Sequence, residues 1–202
     1  MELYDIPVAL FFFNRPERLT QVFERLKDIR PKKMFLVQDG PRANHPTDQE
    51  KIERCQEIVD RVDWDCDVHQ SFSQKNLGCG LRISSGITWV FEYVPHAIIL
   101  EDDCVPDLSF FPFCKAMLNR YETDERVMLV SGMNHLGEYS PDGSSYLFSK
   151  ALSIWGWATW KRVWDQYDYS LSLWNDESLR RLILQEIDVP YMRKNRASAW
   201  KR

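Results

Sequence analysis

Three consecutive carboxylates follow a short apolar run in the middle of the chain, in the stretch Ile98–Asp103 (IILEDD). The apolar residues predict a buried strand, and the acids would project from its carboxyl end, where open α/β sheets bind ligands. Carboxylates crowded in this way are tolerated when a cation shares the site, and oxygen ligands suit Mg²⁺ or Mn²⁺ better than zinc. The alternative is a solvated acidic turn before the next helix.

Strands and helices alternate along the part of the chain that carries these acids. Apolar runs at 7–13, 34–37, 98–100 and 127–131 predict strands, with an edge strand near 66–69, and residues at helical spacing lie between them. The first run is apolar throughout, as expected of a central parallel strand buried on both faces. The sequence therefore predicts an α/β fold with a mainly parallel open sheet flanked by helices.

Polar residues also stand at the ends of other predicted strands. Arg15 precedes a helix that opens with Pro16, where the loop could hold an anion or Arg15 could simply cover the helix end. Asp39 follows the second strand, where it could bind N–H or hydroxyl groups of a ligand or form an Asx-turn. Lys75 and Arg82 flank a loop predicted to face the same side as the acids, and its glycines permit close approach of the backbone. Cations beside a carboxylate cluster suit a phosphorylated, metal-bound ligand, whereas solvated turns with flanking charges are the alternative.

Tryptophans concentrate after the last of these strands, at positions 155, 157, 160, 164 and 174. The spacing of Trp157, Trp160 and Trp164 predicts one packed face of a helix. The alternative is a functional one, in which the tryptophans form an apolar wall for a flat, partly apolar ligand such as a sugar ring. The sequence leaves both open.

Composition and charge narrow the classes of function. The chain has 202 residues, of which 44% are hydrophobic, and its net charge of -4 gives no electrostatic reason to bind nucleic acid. Its 5 cysteines show no spacing typical of a zinc site or a disulfide framework. The apolar run at 7–13 is too short for a signal peptide or a transmembrane span. We expect a cytoplasmic protein without a transmembrane segment, with peripheral membrane association as an open alternative.

Four motifs occur in an order that resembles a known family, namely PVALFFFNRPERL, FLVQDGP, NLGCG and IILEDDCVPDLSFF. They resemble the GT-A-fold nucleotide-sugar glycosyltransferases, in particular N-acetylglucosaminyltransferase I and related bacterial proteins, over roughly residues 6–164. The resemblance implies transfer of a sugar from a nucleoside diphosphate donor, expected to be a UDP-sugar, to a glycan or another hydroxyl acceptor, with inversion. Polysaccharide biosynthesis is the expected setting by analogy with the family alone.

The resemblance also implies roles for individual residues. The EDD run corresponds to the DxD motif, so Asp103 would bind Mn²⁺ or Mg²⁺, and Glu101 and Asp102 would contact ribose, sugar or metal-bound water. Asp39 would contact the uracil edge. The residues at the other positions that bind nucleotide, diphosphate or sugar are Phe13, Asn14, Arg15, Asn76, Gly78 and Arg82. The segment around Gly156-Trp157 resembles the acceptor side.

The catalytic base is also expected from the resemblance. Members of the family place an Asp or Glu, often beside tryptophan, in a loop after the tryptophan-rich segment. Asp176 fits this position best, and Ser198–Trp200 is the alternative, where Lys201 stands in place of an acid. Since relatives continue beyond this point, we expect the acceptor side to be truncated.

One GT-A-like domain is expected over residues 1–202, with a nucleotide-sugar-binding half at 1–135 and an acceptor-side segment at 136–202. Two other functions compete with that of a transferase. A nucleotidyltransferase also joins an α/β sheet to acidic metal ligands, but the glycine-rich basic signature that should follow its first strand is missing. A catalytically idle nucleotide-sugar-binding or interaction domain would bind the nucleotide without turnover.

Overall fold

The computed structural model describes residues 3–134, 137, 142–150, 153–187 and 190–199. They belong to two compact units, Met1–Asp165 and Gln166–Arg202. The strands of the first unit are β1 (Val8–Phe12), β2 (Lys33–Gln38), β3 (Asp67–Phe72), β4 (His96–Glu101), β5 (Leu129–Ser131) and β6 (Trp157–Trp160). Its helices are α1 (Pro16–Ile29), α2 (Asp48–Val59), α3 (Cys79–Val90), α4 (Phe110–Arg120) and α5 (Lys161–Trp164).

The strands form one mixed sheet in the order β3-β2-β1-β4-β6-β5. The first four strands are parallel to one another, and β6 runs antiparallel to both of its neighbours. The predicted α/β fold with a mainly parallel open sheet is therefore confirmed. From β1 the chain proceeds outwards to β2 and β3 and then returns to β4 on the other side of β1. Ligands of open α/β sheets bind beyond the carboxyl ends of the strands at such a reversal.

Helices cover both faces of the sheet. In β1 every residue is buried, and alternate side chains enter different clusters, so that Leu10 packs with residues of α1 and α4 while Phe11 packs with residues of α3. The amphipathic pattern of α1 is confirmed, because Leu19 and Phe23 lie on its buried face. Burial on both faces fixes the ends of β1 and β4, and hence the loops that follow them.

The prediction of a helix face for the tryptophans is wrong. Trp157 and Trp160 lie in β6, where a separation of three residues directs side chains to opposite faces of the sheet. Trp157 accordingly packs with the α3 cluster and Trp160 with the opposite cluster. Helix begins only at Lys161. The spacing fits a helix, but aromatic residues also favour strands, and burial on both sides of a sheet needs no helical period.

The second unit contains a 3₁₀ turn (Ser172–Asn175), α6 (Glu177–Gln185) and α7 (Pro190–Ala199). Helix α6 packs against both of the other elements. Asp176 is the N-cap residue of α6, with a side chain that accepts hydrogen bonds from the first turn. No helix within the described ranges of either unit has the length and apolar character that crossing a membrane requires.

Candidate functional site

Arg15 joins the end of β1 to the acidic run Glu101–Asp103 that closes β4. Its guanidinium donates to both carboxylate oxygens of Asp102, with Nε 3.2 Å from Oδ2, and Nη1 lies 2.9 Å from Oδ2 of Asp103. The strands are parallel neighbours in which Phe11 pairs with Glu101, so the loop after β1 reaches the turn after β4. The cations predicted beside the acids were Lys75 and Arg82, but the cation bonded to them is Arg15, and the side-chain bonds of Arg82 go to Gln38 and Ser71.

The three acids of this run have different surroundings. Asp102 is 1% exposed, and it also accepts the Phe13 backbone N–H at 3.4 Å, so its oxygens are engaged within the protein. Burial raises the pKa of Asp102, although Arg15 opposes this rise by stabilising the ionised form. Burial, followed by the charges of Asp103 and Asp102, raises the pKa of Glu101. Asp103 keeps a side chain that is 22% exposed, and it is therefore better placed than Asp102 to reach a ligand.

A cavity of about 280 Å³ opens beside the acidic run and is lined by Glu101, Asp103, Ser153, Ile154 and Trp155. Its volume lies near the lower end of the range for small-molecule pockets, roughly 300 Å³. A second cavity, of about 560 Å³, is lined by the loop 142–148 and contains none of the predicted site residues. The larger cavity also has an acid, Asp142, beside aromatic side chains, but the smaller one is lined by two acids of the run Glu101–Asp103.

The acids fit a divalent cation that takes most of its ligands from elsewhere. Within the described ranges, no group of three or more His, Cys, Asp or Glu side chains is placed to hold a metal ion. Asp103, with Glu101 in the same cavity, offers carboxylate oxygens. Mg²⁺ is usually bound by one or two carboxylates together with substrate phosphates and water. These donors therefore suit Mg²⁺ or Mn²⁺ in the presence of a phosphorylated ligand, and they do not suit a structural zinc ion.

Asp39 organises the loop before α3. Its Oδ1 accepts the N–H groups of Gly40 at 2.9 Å and Leu77 at 2.8 Å, and its Oδ2 accepts that of Gly78 at 3.0 Å. Asn76 adds a hydrogen bond from Nδ2 to the Gly40 carbonyl at 2.9 Å. The structure thus brings together Asp39, Asn76 and Gly78. Because Oδ2 receives one of these bonds, it retains a lone pair for a further N–H group, as base recognition would require.

Arg82, in the first turn of α3, is buried, with 8% of the residue exposed. Its Nε donates to the Gln38 carbonyl at 3.1 Å, and its Nη2 donates to Oγ of Ser71 at 2.9 Å and to the Ser71 carbonyl. Burial lowers the pKa of Arg82. These contacts tie the ends of β2 and β3 together, and a contact with a diphosphate stays a prediction.

Arg42 and Asp48 were not singled out from the sequence. Asp48 is 1% exposed and accepts hydrogen bonds from Asn14 Nδ2 at 2.7 Å, from Arg42 Nε at 2.8 Å and from Arg42 Nη2 at 2.9 Å. The guanidinium carbon of Arg42 also lies 5.4 Å from the centroid of the Phe13 ring. Asp48 looks like an ordinary acid in the first turn of a helix, and no local pattern indicates its partner 34 positions away.

Gln38 connects these groups. Its Nε2 donates to the Phe13 carbonyl at 2.9 Å, its Oε1 accepts Nε2 of Gln56 at 2.8 Å, and its backbone carbonyl accepts from Arg82. Phe13 in turn donates its N–H to Asp102. A glutamine at the end of an apolar strand was the available signal, since a buried polar side chain needs partners.

Asp176 lies in the second unit. Its Oδ1 accepts the N–H groups of Ser178 at 2.8 Å and Leu179 at 3.1 Å, together with the Ser178 hydroxyl. The bond from the Ser178 side chain, followed by the backbone bonds, lowers the pKa of Asp176. Its role as a catalytic base stays a prediction, and the alternative at 198–200 ends at Trp200, outside the described residues.

Comparison with known proteins gives no family for this chain. It matches no protein-family model, and no curated protein matches it. The likeness to GT-A glycosyltransferases therefore stays a prediction, and function has to be inferred from the contacts at the site.

Proposed function

We propose that this chain binds a nucleoside diphosphate sugar through a divalent cation on Asp103 and transfers the sugar to a hydroxyl group of a glycan-type acceptor. The observation that carries the proposal is the meeting of Asp103 and Glu101 in one cavity, with Arg15 bonded to Asp103, where the strand order reverses. Ligands of open α/β sheets bind at this position. The preference for a UDP-sugar follows from the resemblance of the motifs.

The residues of the acidic run and Arg15 would have different roles in binding a diphosphate. Asp103, with Glu101 beside it, would hold Mn²⁺ or Mg²⁺, which when bound stabilises negative charge on a diphosphate leaving group. Arg15 adds a positive charge at the same place, and a guanidinium is well suited to phosphate oxygens. Asp102 fixes the position of that guanidinium, because the Asp102 carboxylate is buried and accepts hydrogen bonds from Nε and Nη2 of Arg15. Asp102 therefore acts by positioning Arg15.

The nucleoside would lie towards Phe13 and Asp39, at the ends of β1 and β2. Gln38 fixes the Phe13 backbone, and Asp39 keeps an acceptor for an N–H group of a base. Loss of Asp39 would also release the loop at Gly78, so a substitution there changes the fold of the loop as well as base recognition. Asp103 is consequently the better residue with which to test the proposal.

The test is calorimetric titration of UDP with and without Mn²⁺, with GDP as a comparison, on the wild type and on Asp103→Asn. We expect UDP binding that depends on Mn²⁺ and weakens at least about tenfold in Asp103→Asn, because a carboxylate ligand is lost. Asp28→Asn is the control, as Asp28 is an exposed acid of α1. Equal UDP affinity in wild type and Asp103→Asn would reject the metal site.

A second candidate function is nucleotide-sugar binding without transfer. The observation that favours it is the engagement of Asp176 in capping α6, which lowers its pKa and makes it a weaker base. Release of UDP from a UDP-sugar, measured with and without hydroxyl acceptors, separates the two functions. Turnover requires a transferase or hydrolase, whereas tight binding with no release of UDP supports the second candidate.

A further inference from the structure

The pairing of β4 with β6 sets Trp155 beside the acidic run. Ile99 lies opposite Trp157 in this antiparallel pair. Trp155 lies two residues before the start of β6, and Glu101 is the last residue of β4. Both residues, together with Asp103, line the 280 Å³ cavity, which places the indole beside the acidic run.

Trp155 also differs from its neighbouring tryptophans in exposure. It is 55% exposed, whereas Trp157 and Trp160 are 8% and 2% exposed and belong to the core. Trp164 donates its indole N–H to the Thr88 hydroxyl at 2.9 Å. Within the described part of the first unit, Trp155 is therefore the tryptophan that presents its ring to the cavity with the acids.

The backbone next to Trp155 holds it at the cavity. Gly156 has a φ of 71°, a left-handed conformation that favours glycine. Its carbonyl accepts the N–H of Gly132 at 3.1 Å. This hydrogen bond and the glycine turn determine where the chain enters β6, and they separate the exposed Trp155 from the core, which begins at Trp157.

From this placement we infer that Trp155 stacks against the sugar ring of the donor, in the cavity where the resemblance of the motifs already implies a contact of Glu101 with ribose, sugar or metal-bound water. A pyranose has a face of C–H groups that packs on an indole and a rim of hydroxyls that needs acceptors, and apolar walls with a few polar groups are typical of ligand sites. The inference rests on the proposed function, because a sugar joined to a diphosphate held at Asp103 would enter the same cavity. It adds the substrate class, a pyranose that presents an apolar face.

The test compares binding of UDP, UDP-glucose, UDP-galactose and UDP-N-acetylglucosamine, each with Mn²⁺, to the wild type, Trp155→Ala and Trp155→Phe. We expect the wild type to bind at least one of the UDP-sugars more tightly than UDP. Trp155→Ala should weaken that UDP-sugar by roughly fivefold to tenfold and leave UDP within about twofold. Trp155→Phe should retain most of the affinity, because it keeps an aromatic ring.

Tyr93→Ala is the matched control, since Tyr93 is 51% exposed and packs against Phe35 and His69 instead. Tyr93→Ala should leave the affinity for UDP and for the UDP-sugars unchanged. Two results would overturn the stacking role while leaving the proposed function in place: equal changes for UDP and UDP-sugars in Trp155→Ala, or a wild type that prefers none of the sugars to UDP. A folded wild type that binds no nucleotide with Mn²⁺ would reject both.

Discussion

Asp102 and Asp48 are both 1% exposed, and each is paired with an arginine whose side chain is 44% exposed. Their pKa values nevertheless shift in opposite directions. Burial raises the pKa of Asp102, with Arg15 opposing the rise, whereas the hydrogen bonds from Arg42 hold the pKa of Asp48 well below its usual range. The same type of ion pair therefore stabilises the two carboxylates to different extents.

Burial is the largest cause of the shift at Asp102, whereas the hydrogen bonds from the Arg42 side chain are the largest cause at Asp48. Both carboxylates accept hydrogen bonds from two guanidinium nitrogens and one backbone N–H, and Asp48 also accepts one from the Asn14 amide. Asp102 has Asp103 beside it, and Arg15 is shared between the two acids. A fully bonded buried charge is suited to fixing a loop, whereas an acid cluster with one arginine leaves negative charge for a cation to neutralise. The position of Arg15 and Asp102 thus favours a binding role, and that of Arg42 and Asp48 a structural one.

The largest expected effect is on stability. Asp48→Ala removes the partner of Arg42 and Asn14 and should lower the free energy of unfolding by about 3 kcal/mol. Asp102→Ala should lower it by roughly half as much, because loss of this acid also relieves repulsion within the acidic run. Urea denaturation at neutral pH, without divalent cations, gives both values.

Asp28→Ala serves as the control for these variants, as its pairing with Arg25 is an exposed one at 3.7 Å. Such a pair contributes at most about 1 kcal/mol. Equal losses for Asp48→Ala and Asp102→Ala would contradict the view that the two carboxylates are stabilised to different extents.

A second comparison concerns ligand affinity. Arg15→Gln should weaken binding of UDP with Mn²⁺ by about tenfold, since a positive charge next to Asp103 is lost. Arg42→Gln should change this affinity by less than about threefold. Arg42 is bonded to Asp48, away from the acidic run, and the glutamine side chain in the variant should still cover the Phe13 ring. Calorimetry on both variants, with circular dichroism to confirm folding, provides the measurement. A larger loss in Arg42→Gln would reverse the roles assigned to the two arginines.

Much of the fold could be predicted from the sequence, because strands and helices are indicated by the pattern of apolar residues within a short segment. The continuous apolar run of β1 and the helical spacing of α1 each have one simple explanation, and the structure confirms both. The acidic run was visible for the same reason, as three acids in succession after an apolar strand are rare in a buried setting. Its contact with Arg15 follows once β1 and β4 are known to be adjacent and parallel.

The remainder depends on tertiary contacts that no local pattern encodes. Asp48 pairs with Asn14 across 34 positions, and Gln38 joins Phe13 to Arg82 through one side chain. The prediction of a helix for the tryptophans failed for a related reason. A spacing of three residues fits one face of a helix, but it also fits opposite faces of a strand. Only the pairing with β4 distinguishes the buried Trp157 from the exposed Trp155.

The smallest expected effect is a difference in pH dependence between the two aspartates. Folding lowers the pKa of Asp48, so its stabilising contribution is present above the unfolded pKa, near about 4, and is lost as the pH falls further. Folding raises the pKa of Asp102, so its contribution is present below about pH 4 and is lost as the pH rises through the folded value. Asn substitutions remove both titrations with little change in shape.

Urea midpoints of wild type, Asp48→Asn and Asp102→Asn, measured without metal between about pH 3.5 and pH 7, test these signs. On acidification the advantage of wild type over Asp48→Asn should shrink, while wild type should gain relative to Asp102→Asn. The other carboxylates titrate in every variant and cancel from the differences, provided the unfolded states are alike. If both differences shrink on acidification, folding lowers the pKa of Asp102 as well as that of Asp48, and the acidic run would then lack the uncompensated charge that a cation is proposed to neutralise.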